Sequence, residues 1–388
     1  MKGRWSMVAL LGATMLVAAA CGGGGKKVST LKSIGAGEGA LSLVAWVGYT
    51  EDGSTDPAFD WVHPFEQDTG CKVTVKYGNT SDEMVTLMRQ GATYDGVSAS
   101  GDATNRLIAH GDVAPINVDL IDGWKDFIPT LQSPPHNTVD GVHYGVSFVY
   151  GANVLLYNTE KATPAPTSWD VVFDPNTPYK GHITAYDSPI YIADAALYLK
   201  AHSLLGITDP YELTQPQLDA AVELLKGQSP NVLRYWALAS DEIDLFTSGD
   251  LVAGTAWPYQ ESVLKADGQP VESVIPSEGA TGWADTWMMN SKAAHPNCMY
   301  KWMQYASTAE VQAQVAEFYG ATPSNTSACA TIETDLGPDA AAPYRCGDDS
   351  FVKQLALWKT PLADCGNGKS DCMDYSVWTQ KWTEIRGS

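Results

Sequence analysis

GVSFVYGANVLLYN, residues 145–158, is the stretch that decides the fold. It is apolar and rich in β-branched and aromatic residues, the composition of a strand. At 14 residues it is far longer than the usual strand of about 5–6, and Gly151 interrupts it. A strand of that length can leave one domain and enter another. TGWADTWMMN (281–290) has the same character and can carry the chain back. On the N-terminal side, LSLVAWV (41–47) reads as a strand and 56–69 as a helix stopped by Gly70. CKVTVKYG (71–78) alternates as a second strand, SDEMVTLMRQ (81–90) is an amphipathic helix, and YDGVSAS (94–100) is a third, short strand. That β-α-β-α-β order indicates an α/β domain with a mainly parallel sheet. On the far side, HITAYD (182–187) is followed by helices at 192–202, 215–226 and 242–247, then by the strand DLVAGTAW (250–257). Helices at 295–305 and 309–317 follow the return strand. The Cys-, Pro- and Gly-rich tail beyond Pro323 receives no element, and no internal repeat is present. Two α/β units joined by more than one crossing strand make a hinge with a cleft between lobes, a preferred ligand location.

The N-terminus bears on the compartment. Lys2 and Arg4 precede the apolar run MVALLGATMLVAAA (7–20), which is too short to span a bilayer and has the length of a signal-peptide core. Small residues then lead into Cys21, whose thiol can accept lipid, and the Gly-rich segment 22–40 reads as a flexible tether. This is the pattern of a secreted lipoprotein on the outer face of a cell membrane. The formal charge of −21 argues against nonspecific binding to nucleic acid or to an anionic membrane surface. Six cysteines remain besides Cys21. An even number in an oxidising compartment suggests disulfides, with 15 possible connectivities. The short spacings favour Cys329 with Cys346 and Cys365 with Cys372, which leaves Cys71 with Cys298.

Catalytic signatures are missing. The chain has no GxSxG elbow, HExxH, P-loop or SxxK set. The seven histidines are scattered without metal-ligand spacing, and neither a metal nor a cofactor is expected.

Several stretches, in order and spacing, resemble the periplasmic spermidine/putrescine-binding proteins of ABC importers, which have the two-lobed type II periplasmic-binding fold. They are AWVGY (45–49), TGCKVTV (69–75), YDGVSAS (94–100), SFVYGANVLLYN (147–158), TSWDVVF (167–173), SGDLVAGTAWPY (248–259), GWADTWMMN (282–290) and QVAEFYGATPSN (314–325). The resemblance implies a first lobe from 41–150 and 284–322, a second lobe from 151–283, and a tail, 323–388, packing across both. It also implies ligand contacts at Trp46, Tyr49, Ser100, Trp257, Trp283 and Asp285, the last binding an amine. Asp102, Asp187, Tyr191, Ser240 and Tyr319 are further candidates. The chain departs from the family where an additional acidic pair is expected. Ser188 and Tyr191 stand there, with Asp187 one residue early, so the grip on a second ammonium is open and a ligand with one cationic centre competes with a long polyamine.

The chemistry of those residues is coherent. Aromatic faces attract cations, and a carboxylate supplies the charge match. With 13 tryptophans some must be core, and Trp124, Trp236 and Trp302 are read that way. Asp285 lies between Trp283 and Trp287 in an apolar run, where an unpaired charge is costly. The acids Asp241, Glu242 and Asp244 are read as helix caps. The expectation is a monomeric, non-enzymatic solute-binding lipoprotein that delivers a polyamine or related cation to an ABC permease. A surface sensor and a secreted enzyme on the same scaffold are the alternatives.

Overall fold

A computed structural model describes residues 30–202, 205–365 and 368–387. The expected leader, the expected lipidation site Cys21 and the start of the expected tether lie outside the described residues. The chain begins β1 (Ala40–Ala45), α1 (Val62–Thr69), β2 (Lys72–Tyr77), α2 (Ser81–Met88), β3 (Gly96–Ala99), α3 (Gly101–His110). Local chemistry sets the ends. Gly70 and Gly111 close α1 and α3 in the left-handed region, at φ 71° and 78°, which glycine adopts without Cβ strain. The Thr80 side chain accepts from the Glu83 amide at the start of α2. β1 pairs in parallel with both β2 and β3.

The long apolar run divides in two. β4 (Val146–Ala152) belongs to the first sheet and β5 (Val154–Asn158) to the second, with Asn153 alone between them. The second lobe continues through β6 (Ile183–Tyr186), α4 (Ile192–Ala201), α5 (Gln215–Gln228), β7 (Val232–Trp236), α6 (Ala239–Thr247), β8 (Ala253–Ala256), α7 (Pro258–Ala266) and β9 (Val271–Val274). Then β10 (Thr281–Met289), buried along its whole length, runs antiparallel to β3 and β4. Thr281, Gly282 and Trp283, expected at the end of the second lobe, therefore sit in the first sheet. The return crossing is the segment before β10, because a strand buried on both faces is specified by the sheet that covers it.

After β10 come, among others, α8 (Pro296–Ala306), α9 (Ala309–Tyr319), β11 (Thr322–Pro323), α10 (Cys329–Leu336), β12 (Ala356–Leu357) and α11 (Tyr375–Arg386). The first sheet has the order β11-β4-β10-β3-β1-β2, with β12 also beside β10; the second has the order β9-β5-β8-β6-β7. Residues past Pro323 contact both halves. Arg386 pairs with Asp187 at 3.2 Å in the second lobe, while Arg106 of α3 lies 4.1 Å over the Tyr375 ring. Disulfides join Cys71–Cys298, Cys329–Cys346 and Cys365–Cys372. The described part of the expected tether is held to the first lobe: Leu31 and Ile34 pack on its core, and the Glu38 carboxylate accepts from the Asn297 and Cys298 amides. No helix among the described residues is long and apolar enough to cross a membrane.

Candidate functional site

The carboxyl ends of parallel strands build the site, as in other open α/β sheets. Trp46 and Tyr49 occupy the turn after β1. Gly48 makes that turn possible at φ 87°, and a Cβ there would come within 2.9 Å of the Tyr319 ring. Ser100 follows β3 at the N-terminus of α3, and Trp257 follows β8 at the N-terminus of α7. Trp283 and Asp285 project from β10. The pairing with β4 shifts register here: Ala284 pairs with Tyr150 and Thr286 with Ser147, so Asp285 stands against two residues of β4, Phe148 and Val149, a bulge on β4. Gly151 of β4 lies opposite Trp283, and a Cβ there would approach the indole to 2.5 Å.

These six residues meet. Trp46, Tyr49, Ser100, Trp257, Trp283 and Asp285, with Tyr319 and Trp358, line one small cavity between the lobes. Its free space is about 10 Å³, close to what one water occupies. Asp285 is 3% exposed. The Tyr49 hydroxyl donates to its Oδ2 at 2.6 Å and the Ser100 hydroxyl to its Oδ1 at 2.5 Å. Both partners are neutral. Burial pushes the Asp285 carboxyl up to about 7, and the nearby Asp102 charge adds to that, while the two hydroxyls pull the other way. The Tyr49 phenol is raised well above its ordinary value by burial and by the facing carboxylate. Around this group stand rings from both lobes. Tyr319 packs edge-on to Tyr49 at 5.3 Å and to Trp283 at 6.2 Å. The indole nitrogens of Trp46, Trp283 and Trp358 are buried without a partner.

A wider cleft of about 220 Å³ opens outward from this cavity and shares Trp46, Trp257 and Tyr319 with it. Its walls include Glu51 and the exposed Ser240, and Tyr259 stacks on Tyr319 at 5.1 Å. A third cavity, inside the second lobe, also shares Trp257. It is lined by Tyr191 and Asp194 of the segment after β6 and by Tyr186, Trp236 and Thr255 at the ends of β6, β7 and β8.

Two of the candidate residues are elsewhere. Asp102 is buried in the first turn of α3, accepts from the Ser81 hydroxyl of α2 at 2.8 Å, and does not line the cavity around Asp285. Asp187 accepts from the Trp382 indole at 3.0 Å and pairs with Arg386, so the C-terminal helix occupies it. Trp236, read as core, is a core residue that also edges the third cavity, packing edge-on to Trp257 at 4.8 Å. Two structural readings change. Glu242, read as a cap, is fully buried, with one carboxylate oxygen accepting from Gln260 and the other unpartnered. Scattered histidine spacing concealed a surface cluster in which His202 lies 3.9 Å from Asp170 and 3.7 Å from Glu278. Trp358, Asp194, Glu51 and Tyr186 were missed. Only Asp194 carries a sequence signal, an acid in the otherwise apolar helix IADAALYL (192–199).

Two α/β lobes, joined by crossing strands and holding an aromatic-walled cavity between them, define a two-lobed periplasmic binding protein. The chain belongs to the bacterial extracellular solute-binding proteins, whose family model matches residues 60–342. The spermidine/putrescine-binding periplasmic protein of Escherichia coli K12 is 23% identical over 312 residues, 78% of this chain and 86% of that protein. The putrescine/cadaverine-binding protein of Pseudomonas aeruginosa is 23% identical over 371 residues, 89% of this chain and 93% of that protein. A solved structure described as a putative spermidine/putrescine ABC transporter from Listeria monocytogenes superposes with a TM-score of 0.72 at 21% identity, covering 90% of this chain and 99% of that one.

Proposed function

We propose that the protein is the extracytoplasmic receptor of an ABC importer and captures a small organic cation, with polyamines first among the candidates. One observation carries this reading: Asp285 is buried among tryptophans contributed by both lobes, and its hydrogen-bond partners are two neutral hydroxyls. A buried carboxylate without a cation is costly. An ammonium group would satisfy it and would gain about 0.5–2 kcal/mol from each ring face it meets. Because the rings come from both lobes, the ligand favours the closed form and shifts the population toward it. The closed receptor then docks on a membrane permease, lipid on Cys21 keeps it at the membrane, and the ligand leaves chemically unchanged.

Calorimetry with spermidine, putrescine and a quaternary amine tests this, together with mass spectrometry of small molecules released from gently purified protein. Heat of binding with at least one amine, and recovery of an unaltered amine, is the expected result. Binding of a sugar or an anion with no heat from any amine would remove the reading.

A further inference from the structure

Outside the cavities described above, the second lobe brings together a histidine and two carboxylates that the capture of an amine does not use. His202 follows the last turn of α4, Asp170 opens a single helical turn (Asp170–Phe173), and Glu278 lies in the return crossing before β10. The His202 Nε2 stands 3.9 Å from Asp170 Oδ1 and 3.7 Å from Glu278 Oε1. One donor atom from each residue lies within 4.8 Å of the other two. Ligands around a tetrahedral zinc are about 3.4 Å apart. The two histidine distances are close to that, and the exposed side chains of His202 and Asp170 have room to swing inward.

Each donor is held by a neighbour. The Glu278 side chain is 5% exposed. Its Oε1 accepts from the Ser168 hydroxyl at 2.5 Å and its Oε2 from the Ser277 hydroxyl at 3.0 Å. The Tyr198 hydroxyl donates to Asp170 Oδ1 at 2.7 Å, and the Tyr198 ring packs 4.2 Å from the His202 imidazole. Outer partners of this kind fix the orientation of metal ligands. The charge is left uncompensated. Among the described residues no lysine or arginine ion pair reaches either carboxylate. A buried carboxylate whose partners are neutral hydroxyls is costly, and a divalent cation would cancel both negative charges. The donor set also selects the metal. Mixed imidazole and carboxylate donors suit zinc, whereas calcium and magnesium take oxygen ligands.

We propose that Asp170, His202 and Glu278 form a zinc site that fastens the return crossing to the end of α4. The crossing already touches the second lobe there: the Trp169 indole donates to the Gly279 carbonyl at 2.9 Å and the Ser277 amide to the Thr167 carbonyl at 2.9 Å. The metal adds a link from α4, through a neutral imidazole, and three protein ligands leave its fourth position to water.

The test is calorimetry with ZnCl₂ and with CaCl₂ on the full chain after treatment with a chelator, paired with thermal melts. The wild type should bind one Zn²⁺ per chain and far less Ca²⁺, and its melting temperature should rise with Zn²⁺ concentration. His202→Ala should weaken Zn²⁺ by at least about 10-fold, the smaller loss seen when even an outer partner of a ligand is removed, and should abolish the rise in melting temperature. His63→Ala is the control, because His63 also pairs with a carboxylate, Asp60, at 2.9 Å. It should leave Zn²⁺ affinity within about twofold, as for an independent site. If His202→Ala does not fold, Asp170→Asn takes its place with the same expected loss, since it keeps an acceptor for Tyr198. Absence of Zn²⁺ binding, a loss of less than about twofold in His202→Ala, an equal loss in His63→Ala, or Ca²⁺ binding as tight as Zn²⁺ would each overturn the site.

Discussion

The Tyr49 hydroxyl and the Asp285 carboxylate, 236 residues apart in the chain, meet at 2.6 Å in the buried centre of the cleft. Both belong to the first lobe, so the carboxylate and its hydroxyl partner are held together within one lobe. Removing one hydroxyl leaves Asp285 with fewer bonds to its charged form. Tyr49→Phe should weaken amine binding at neutral pH by about threefold to tenfold, the scale of one hydrogen bond to a charged group. Asp285→Asn should cost at least about 30-fold without destabilising the unliganded protein. Calorimetry paired with thermal melts checks both, and a large loss of melting temperature in Asp285→Asn would contradict the account.

The elevated carboxyls make stability depend on pH in an unusual direction. Burial raises Asp285 and Asp194 to about 7 and Asp102 to about 6 in the folded protein. The groups facing Asp285 are Tyr49, Ser100, Tyr319 and, at longer range, Asp102. Between about pH 4 and pH 7 the folded chain therefore holds protons that the unfolded chain has lost, and these groups make stability fall as pH rises. A bound cation favours the ionised form, so amine affinity should rise from pH 5.5 to pH 7.5 and binding should release protons. Buffers of different ionisation enthalpy measure that release. An affinity that falls with rising pH would exclude Asp285 as the cation's partner.

Glu242 offers a test away from the cleft. Its side chain is fully buried under β8, with one oxygen accepting from Gln260 at 3.1 Å and the other without a partner. Burial raises its carboxyl well above the ordinary value. Glu242→Gln keeps the shape and the acceptor and removes the ionisable group. It should be neutral or stabilising, by about 1 kcal/mol at pH 8 and by less at pH 5, in urea denaturation. Destabilisation at both values would mean that the protonated acid makes a bond the amide cannot.

Trp358 reaches the site only because Gly101 leaves room. A Cβ at Gly101 would lie 1.7 Å from the Trp358 carbonyl oxygen, and that backbone is tied to Gly282 by a 2.7 Å hydrogen bond. Gly101→Ala must push β12 away from the cleft. A loss of about 1–3 kcal/mol is expected from the overlap, with a change in amine affinity. Trp358→Phe, milder for folding, should admit a bulkier quaternary amine. A Gly101→Ala protein with wild-type melting temperature and affinity would show that β12 yields freely.

Much of the architecture was legible because it rests on local periodicity. Strands β1 to β3 and helices α1 and α2 announce themselves by alternation, helical spacing and the stop at Gly70, whereas α3, closed by Gly111, received no helix from the sequence. The contact positions Trp46, Ser100 and Trp257 came instead from the resemblance to the spermidine/putrescine-binding proteins, and each stands just past a strand. The pairing of β10 was less legible. Its nine buried residues carry no alternation, so the strand gives no sign of which sheet receives it.

Sequence alone determined most of the order of strands and helices and the long run 145–158 that crosses between lobes, because each depends on neighbours within a few residues; that the run divides at Asn153 and not at Gly151 was set by the two sheets. Tertiary structure alone decided that Trp358 closes the inner cavity against Gly101, that Asp194 hangs from Thr281, and that Asp187 is taken by Arg386. Those contacts join residues separated by 87 or more positions, and no local pattern encodes which distant surface a side chain will meet.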